Sequence, residues 1–277
     1  LKKKLSRFQN KEFMYLRRHM TPADAEDILA LEIPGVYEQR EYRRFYPAGE
    51  VAAHLVGFTN IDDKGQEGLE LAFDKWLTGE AGKKQVLKDL RGRIFKDVSL
   101  ISEASAGNDI ALSIDMRLQY LAYRELKEAV KAHKAKSGSV VLLDAKTGEV
   151  LAMVNQPSYN PNDRAGLKVN ALRNRAMTDQ FEPGSTMKPL TVMAALESGR
   201  FNPDTKIDTN PGFLRVGKKT LLDPVNYGVM DVGKVIQKSS QVGLTKISLD
   251  LDGDAIRDMF FRVGLGQATG TGFPGEA

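Results

Sequence analysis

Residues 181–199 read FEPGSTMKPLTVMAALESG, with a Pro-Gly turn, a serine where a helix can begin, and a lysine three residues further on. Apolar residues at Leu190, Met193, Ala194 and Leu196 follow at helical spacing, and the pattern stops at Gly199, a common helix terminator. A helix starting near Ser185 puts Ser185 and Lys188 on one face within its first turn. A serine hydroxyl is a poor nucleophile until a base removes its proton, so an amine held beside it points to an activated serine. The competing explanation is an ordinary helix cap at Ser185 with a solvated Lys188. About one chance Ser-x-x-Lys match is expected among thirteen serines, and Ser185 supplies the single match in this chain.

Composition limits the chemistry. The chain has 277 residues, 42% of them hydrophobic and 27% charged, the balance of a globular protein long enough for one large or two ordinary domains. With no cysteine, disulfides, thiol catalysis and cysteine metal sites are excluded. The three histidines, His19, His54 and His133, have no ligand spacing, so neither a zinc site nor any other metal or cofactor is expected. The net charge of +4 is spread among acids except in LKKKLSRFQNKEFMYLRR at residues 1–18, which reads as a solvated helix face; no nucleic-acid footprint is indicated. No run of roughly 18 apolar residues marks a membrane span.

Texture changes along the chain. Residues 1–108 are rich in charge and turns, with VYEQREYRRFYPAGEVAAHLVGFTN (36–60) and KKQVLKDLRGRIFKDV (83–98) alternating like exposed strands, so an irregular α+β domain is expected there. The small and polar stretch SEASAGND, 102–109, is the boundary candidate, dividing the chain into 1–108 and 109–277. Beyond it DIALSID (109–115) reads as a strand. MRLQYLAYRELKEAVKAHKA (116–135) reads as an amphipathic helix with Leu118, Leu121, Ala122 and Leu126 on one side. Ser139–Leu143 and Glu149–Val154 read as a hairpin turning at Gly148. This order predicts an α/β or α+β second domain with an antiparallel sheet edge flanked by helices.

A second chemical element is KSSQVG, 238–243, ahead of LTKISLDL, with apolar residues at Val242, Leu244, Ile247, Leu249 and Leu251. A serine hydroxyl there can relay a proton, although paired serines before an apolar helix are usually caps. Two further matches are decoys. Lys146-Thr147-Gly148 and Ser158-Tyr159-Asn160 both precede Ser185, the first in the hairpin turn and the second in a proline-bounded loop, and structural roles are expected for both.

Taken together, these segments resemble the penicillin-binding transpeptidases, in particular the monofunctional class B enzymes of the division (septal) type. FEPGSTMKPLTVMAALESG is similar to the family's nucleophile helix, and RRFYPAGEVAAHLVGFTNIDDKGQEGLE (43–70) to its non-catalytic domain motif. GNDIALSIDMRLQ resembles the entry to its catalytic domain, NYGVMDVGKVIQKSSQVGLTKIS the segment of its second active-site motif, and GLGQATGTGFPGE the stretch that follows.

The resemblance implies an N-terminal non-catalytic pedestal or dimerisation-type domain, followed by part of a penicillin-binding transpeptidase domain. It implies Ser185 as the acylated nucleophile, Lys188 as a general base that must be neutral, and Ser239 as the relay hydroxyl. Ser240 and Gln241 are the substrate-binding residues it implies, with Gln241 standing where the family has asparagine. Burial or a nearby positive charge would depress the lysine's pKa as this role requires.

The implied activity is D,D-transpeptidation, which cross-links peptidoglycan stem peptides in septal cell-wall synthesis through a serine acyl-enzyme. Covalent inhibition by β-lactams follows from the same serine. Divisome membrane proteins are the implied partners and the periplasmic face of the inner membrane the implied location. An anchoring helix is expected ahead of Leu1, and the family's Lys-[Ser/Thr]-Gly strand beyond Ala277. Two rivals remain: a catalytically incomplete penicillin-binding or scaffold module of the division machinery, and a serine β-lactamase, which lacks such a pedestal.

Overall fold

The structure, a computed structural model, describes residues 2–88 and 94–276. Compactness divides it into two units, one holding the chain through Thr178 together with Gly272–Gly275, the other holding Asp179–Thr271. Among the described residues, strands pair only in two-stranded antiparallel sheets.

The first unit opens with α1 (Lys2–Arg7), exposed on every side as its lysines dictate, and α2 (Pro22–Leu29), capped by Thr21. The stretch 36–48 is irregular rather than stranded; it leads into a 3-10 turn, Gly49–Val51, and α3 (Ala53–Val56). Next come β1 (Phe58–Thr59) and β2 (Gly65–Glu67), paired with each other, then α4 (Gly68–Ala72) and α5 (Asp74–Leu77). The glycines of GFTNIDDKGQEG allow this tight knot: Gly57 has φ +79°, and a Cβ there would stand 1.7 Å from the Glu67 carbonyl oxygen. Phe58 of this knot joins a buried cluster with Tyr46, Ala53, Tyr159 and Ala171. The strand-like segment 83–98 forms β3 (Lys83–Lys88) paired antiparallel with β4 (Ile94–Ser102), while residues 89–93 lie outside the described residues.

DIALSID does not form a strand. Its backbone is held beside the next hairpin, where the Asp115 N–H donates to Leu151 O at 3.0 Å and Ser113 Oγ to Val150 O at 2.8 Å, and Asp115 then caps α6 (Met116–Ala132). In α6 the buried residues are Gln119 and Tyr123, with Leu118, Ala122 and Leu126 half-buried and Leu121 exposed, so the apolar stripe is flanked by a polar core. Gln119 is fully buried because its amide is fully used. Its Nε2 donates to Val51 O and Met153 O, and its Oε1 accepts from Met153 N–H, each at 2.8 Å. The partner hairpin is β5 (Gly138–Leu143) with β6 (Val150–Gln156), as the alternation predicts.

Both decoys are structural. Asp144 Oδ1 accepts from the Lys146 and Thr147 N–H groups in the hairpin turn, while Ser158 Oγ donates to Glu50 O and Tyr159 Oη to Ala53 O. Because Val51 and Ala53 are bonded to residues beyond 109, the first compact unit extends past the composition change at 102–109. Short helices α7 (Val169–Leu172) and α8 (Arg175–Thr178) complete it.

The second unit runs through a 3-10 turn, Gly184–Met187, α9 (Lys188–Glu197), β7 (Lys206–Asp208), β8 (Phe213–Val216), β9 (Lys219–Leu222) and β10 (Val229–Asp231). It ends with α10 (Val232–Gln237), α11 (Gln241–Asp250) and α12 (Gly253–Arg262). β8 pairs with β9, and β7 with β10. Its core joins Val192, Ala194 and Ala195 of α9 to Val235, Ile247 and Met259. Met193 and Leu196, expected on the core side of α9, are exposed, because the face that meets α10, α11 and α12 is built from Thr191, Val192, Ala194 and Ala195.

Gln119 carries the clearest stability consequence. Gln119→Leu leaves the Met153 N–H and two carbonyls without partners, and is expected to lower the unfolding free energy by roughly 2–4 kcal/mol in urea titration. A loss under about 0.5 kcal/mol would show that these bonds do not hold α6 to the hairpin.

Candidate active site

Pro183-Gly184 turns the chain into the site, with Gly184 at φ +65°. The helix then starts one turn later than the sequence suggests. Ser185 lies in the 3-10 turn, and the α-helix proper begins at Lys188, followed by Pro189 at a position where a missing N–H is tolerated. Ser185 is exposed, and among the described residues none is hydrogen bonded to its Oγ. The capping explanation therefore fails: no side-chain cap bond is made at this helix start.

Lys188 is half-buried and reaches across to the turn between α10 and α11. Its Nζ donates to Ser239 O at 2.5 Å and to Ser239 Oγ at 3.0 Å. Burial pushes its pKa below the ordinary 10.5, opposed by the negative charge of Asp223. Of the two routes to a depressed lysine named from sequence, burial operates.

Ser239 is presented by an uncommon backbone. It follows the last turn of α10 at φ +51°, with its N–H on Ile236 O at 2.9 Å and the Ser240 N–H on Val235 O at 3.0 Å. This is a Schellman ending, in which the left-handed position normally belongs to glycine. A serine there carries strain of about 1 kcal/mol, which surrounding contacts must hold.

Ser240, expected to bind substrate, is placed by the structure as a buried helix cap. It is fully buried, its Oγ donates to Asp223 Oδ2 at 2.5 Å, and the same oxygen accepts from Gly243 N–H at 2.8 Å, capping α11. Gln241 is exposed; its backbone N–H donates to Asp223 Oδ1 at 2.6 Å, and among the described residues its side-chain amide has no partner. The structure thus joins Lys188 to Ser239 and leaves the amide of Gln241 apart from the lysine. Asp223 was missed from sequence. Its one signal is the Asp-Pro turn after the strand-like run KKTLL.

Residues 138–277 match the description "Penicillin binding protein transpeptidase domain", and residues 1–112 match "Penicillin-binding Protein dimerisation domain". The chain therefore belongs to the penicillin-binding protein transpeptidase family. It is 48% identical over 264 residues to peptidoglycan D,D-transpeptidase FtsI of Escherichia coli K12, covering 95% of this chain and 44% of that protein. It is 40% identical to peptidoglycan D,D-transpeptidase FtsI of Buchnera aphidicola subsp. Schizaphis graminum, covering 97% of this chain and 47% of that one. The structure of penicillin binding protein 3 from Mycobacterium tuberculosis complexed with ampicillin superimposes with a TM-score of 0.71 at 34% identity, over 84% of this chain and 48% of that chain. The chain thus spans about half the length of the relatives it matches. The expected fold class, a dimerisation-type domain followed by transpeptidase-domain sequence with mixed helix and sheet, is borne out.

The assignment of Ser240 to the framework has a measurable counterpart. Ser240→Ala is expected to cost about 1–2 kcal/mol in urea denaturation, the range for a lost cap, whereas Ser239→Ala is expected to cost under about 0.5 kcal/mol. Equal effects would place both serines in the same environment.

Proposed function

We propose that this chain carries the nucleophile and base of a serine D,D-transpeptidase that cross-links peptidoglycan stem peptides during septal wall synthesis and is acylated by β-lactams. The contact of Lys188 with both oxygens of Ser239 carries the reading. A neutral amine has two hydrogens and one lone pair. Both hydrogens are committed to Ser239, so the lone pair remains for the hydroxyl of Ser185, one turn away in the same helix start. Burial favours the neutral form that this step requires.

In the proposed reaction, Ser185 Oγ attacks the carbonyl of the penultimate D-alanine and its proton passes to Lys188. Ser239 Oγ, bonded to the same amine, relays that proton to the departing amino group of the terminal D-alanine. An acceptor amine then takes the acyl group from Ser185 as the reverse sequence runs. Gln241 is assigned to substrate binding in this scheme, and its exposure at the first turn of α11 supports that role. No cofactor or metal takes part in the scheme, and no cluster of metal-ligating side chains occurs among the described residues.

The names of the matched relatives support the substrate class, and the ampicillin complex of a structural neighbour supports the β-lactam reaction. The non-catalytic domain is proposed to occupy 1–108, its family match ending close by at residue 112. Membrane division proteins are the proposed partners, and the periplasmic face of the inner membrane the proposed location; no described helix is long and apolar enough to cross a membrane.

In the full-length protein, Ser185→Ala is expected to abolish covalent labelling by a fluorescent penicillin with an unchanged far-UV circular dichroism spectrum. Persistent labelling would move the nucleophile elsewhere. Lys188→Arg keeps the charge but cannot supply a free lone pair near neutral pH, so acylation is expected to fall at least ~10²-fold. Normal acylation by that variant would make Lys188 a structural cation.

A further inference from the structure

The turn that offers Ser239 to Lys188 is held from one side by a single carboxylate. Asp223 is buried at the end of the β8–β9 hairpin, where its own N–H donates to Gly212 O at 2.9 Å. Its carboxylate accepts three hydrogen bonds from three consecutive residues: Ser240 Oγ at 2.5 Å, Gln241 N–H at 2.6 Å and Val242 N–H at 3.3 Å. These are the cap residue and the first two residues of α11, so a fixed negative charge meets the positive end of that helix.

Ser239 is the residue immediately before this grip. On its other side it is tied to α10 through Ile236 O. Its left-handed conformation is unfavourable for a serine and persists only if both flanks are fixed. α10 fixes one flank and Asp223 the other.

We propose that Asp223 is a positioning residue for the acylation reaction: by clamping the first turn of α11 to the β8–β9 hairpin, it locks Ser239 in the conformation that turns both its carbonyl and its hydroxyl toward Lys188. This proposal rests on the acyl-enzyme reading above. It also explains how the site holds its lysine without the amide at position 241: the lysine is fixed through Ser239, and Ser239 through Asp223.

Asp223 acts on the lysine in a second way, through its charge. A carboxylate near an amine stabilises the protonated form, so Asp223 works against the effect of burial on Lys188. Of the other charged groups close in sequence to this site, Glu182 ahead of the nucleophile turn and Lys238 at the end of α10 are both exposed. Lys246 of α11 directs its Nζ to Asp208 O. Neutralising Asp223 therefore lowers the lysine's pKa, and the limb on which acylation rises with pH moves toward acid.

The test compares Asp223→Asn and Asp223→Ala with the wild type in the full-length protein, using fluorescent penicillin and measuring acylation rate against pH. Asp223→Asn keeps an oxygen for the two N–H groups and an amide for Ser240. It is expected to lose less than ~10-fold in rate while its rising limb moves to lower pH. Asp223→Ala removes the clamp and is expected to lose about 10²-fold, the scale of a small misplacement of a reacting group. Rates within twofold of wild type in both folded variants, or an unmoved limb in Asp223→Asn, would overturn the proposal.

Amide hydrogen exchange at Ser239, Gln241 and Val242 reads the clamp without any label. Faster exchange in Asp223→Ala at these amides, with α12 unchanged, supports it, and unchanged exchange overturns it. A wild-type protein that takes no penicillin would defeat the functional reading, and the exchange result would still decide whether Asp223 holds the turn.

Discussion

The Lys188 amine bonded to both oxygens of Ser239 is the contact around which the second unit is arranged. It joins two segments fifty-one residues apart in the chain, and it needs a lysine that is partly desolvated and a serine whose carbonyl and hydroxyl point the same way. Neither condition is met by a free peptide. The first requires α9 to pack its small face of Val192, Ala194 and Ala195 against α10, α11 and α12, which sets Lys188 at the mouth of that packing. The second requires a left-handed serine between two helices, a conformation that hydrogen bonds on both flanks must maintain.

The supporting residues divide the work in a physically sensible way. Ser239 faces the amine and is exposed, whereas its neighbour Ser240 is buried and spends its hydroxyl on a carboxylate and a helix cap. A paired serine therefore serves two needs at once: one hydroxyl for the Lys188 amine and one for the frame. The first unit shows the same use of a saturated polar side chain, since Gln119 satisfies three backbone groups, one at Val51 and two at Met153, and can be buried without a desolvation penalty left over.

Much of this was legible in the sequence because it depends on local rules. The Pro-Gly turn, the β5–β6 hairpin and the end of α9 at Gly199 follow from backbone preferences of particular residues, and the structure places them as expected. The decoy Lys146-Thr147-Gly148 could be rejected for the same reason, because it fits a hairpin turn. What stayed hidden depends on contacts distant in sequence. DIALSID alternates like a strand, yet its partners are single bonds to β6 rather than a ladder. The burial of Gln119 and the exposure of Leu121 reverse the hydropathy rule because a glutamine with every bond made is as easily buried as a leucine. Asp223 carries no motif; its role exists only when the β8–β9 hairpin is brought beside the start of α11.

The central claim is that burial prepares Lys188 to act as a base. It is tested most directly by titrating that amine in full-length protein labelled with carbon-13 and nitrogen-15 in lysine, with the Lys188 signal assigned by its disappearance in Lys188→Arg. The account requires a midpoint below the ordinary lysine value of 10.5. A midpoint at or above that value would mean that the Asp223 charge outweighs burial, and would contradict the assignment of Lys188 as the base.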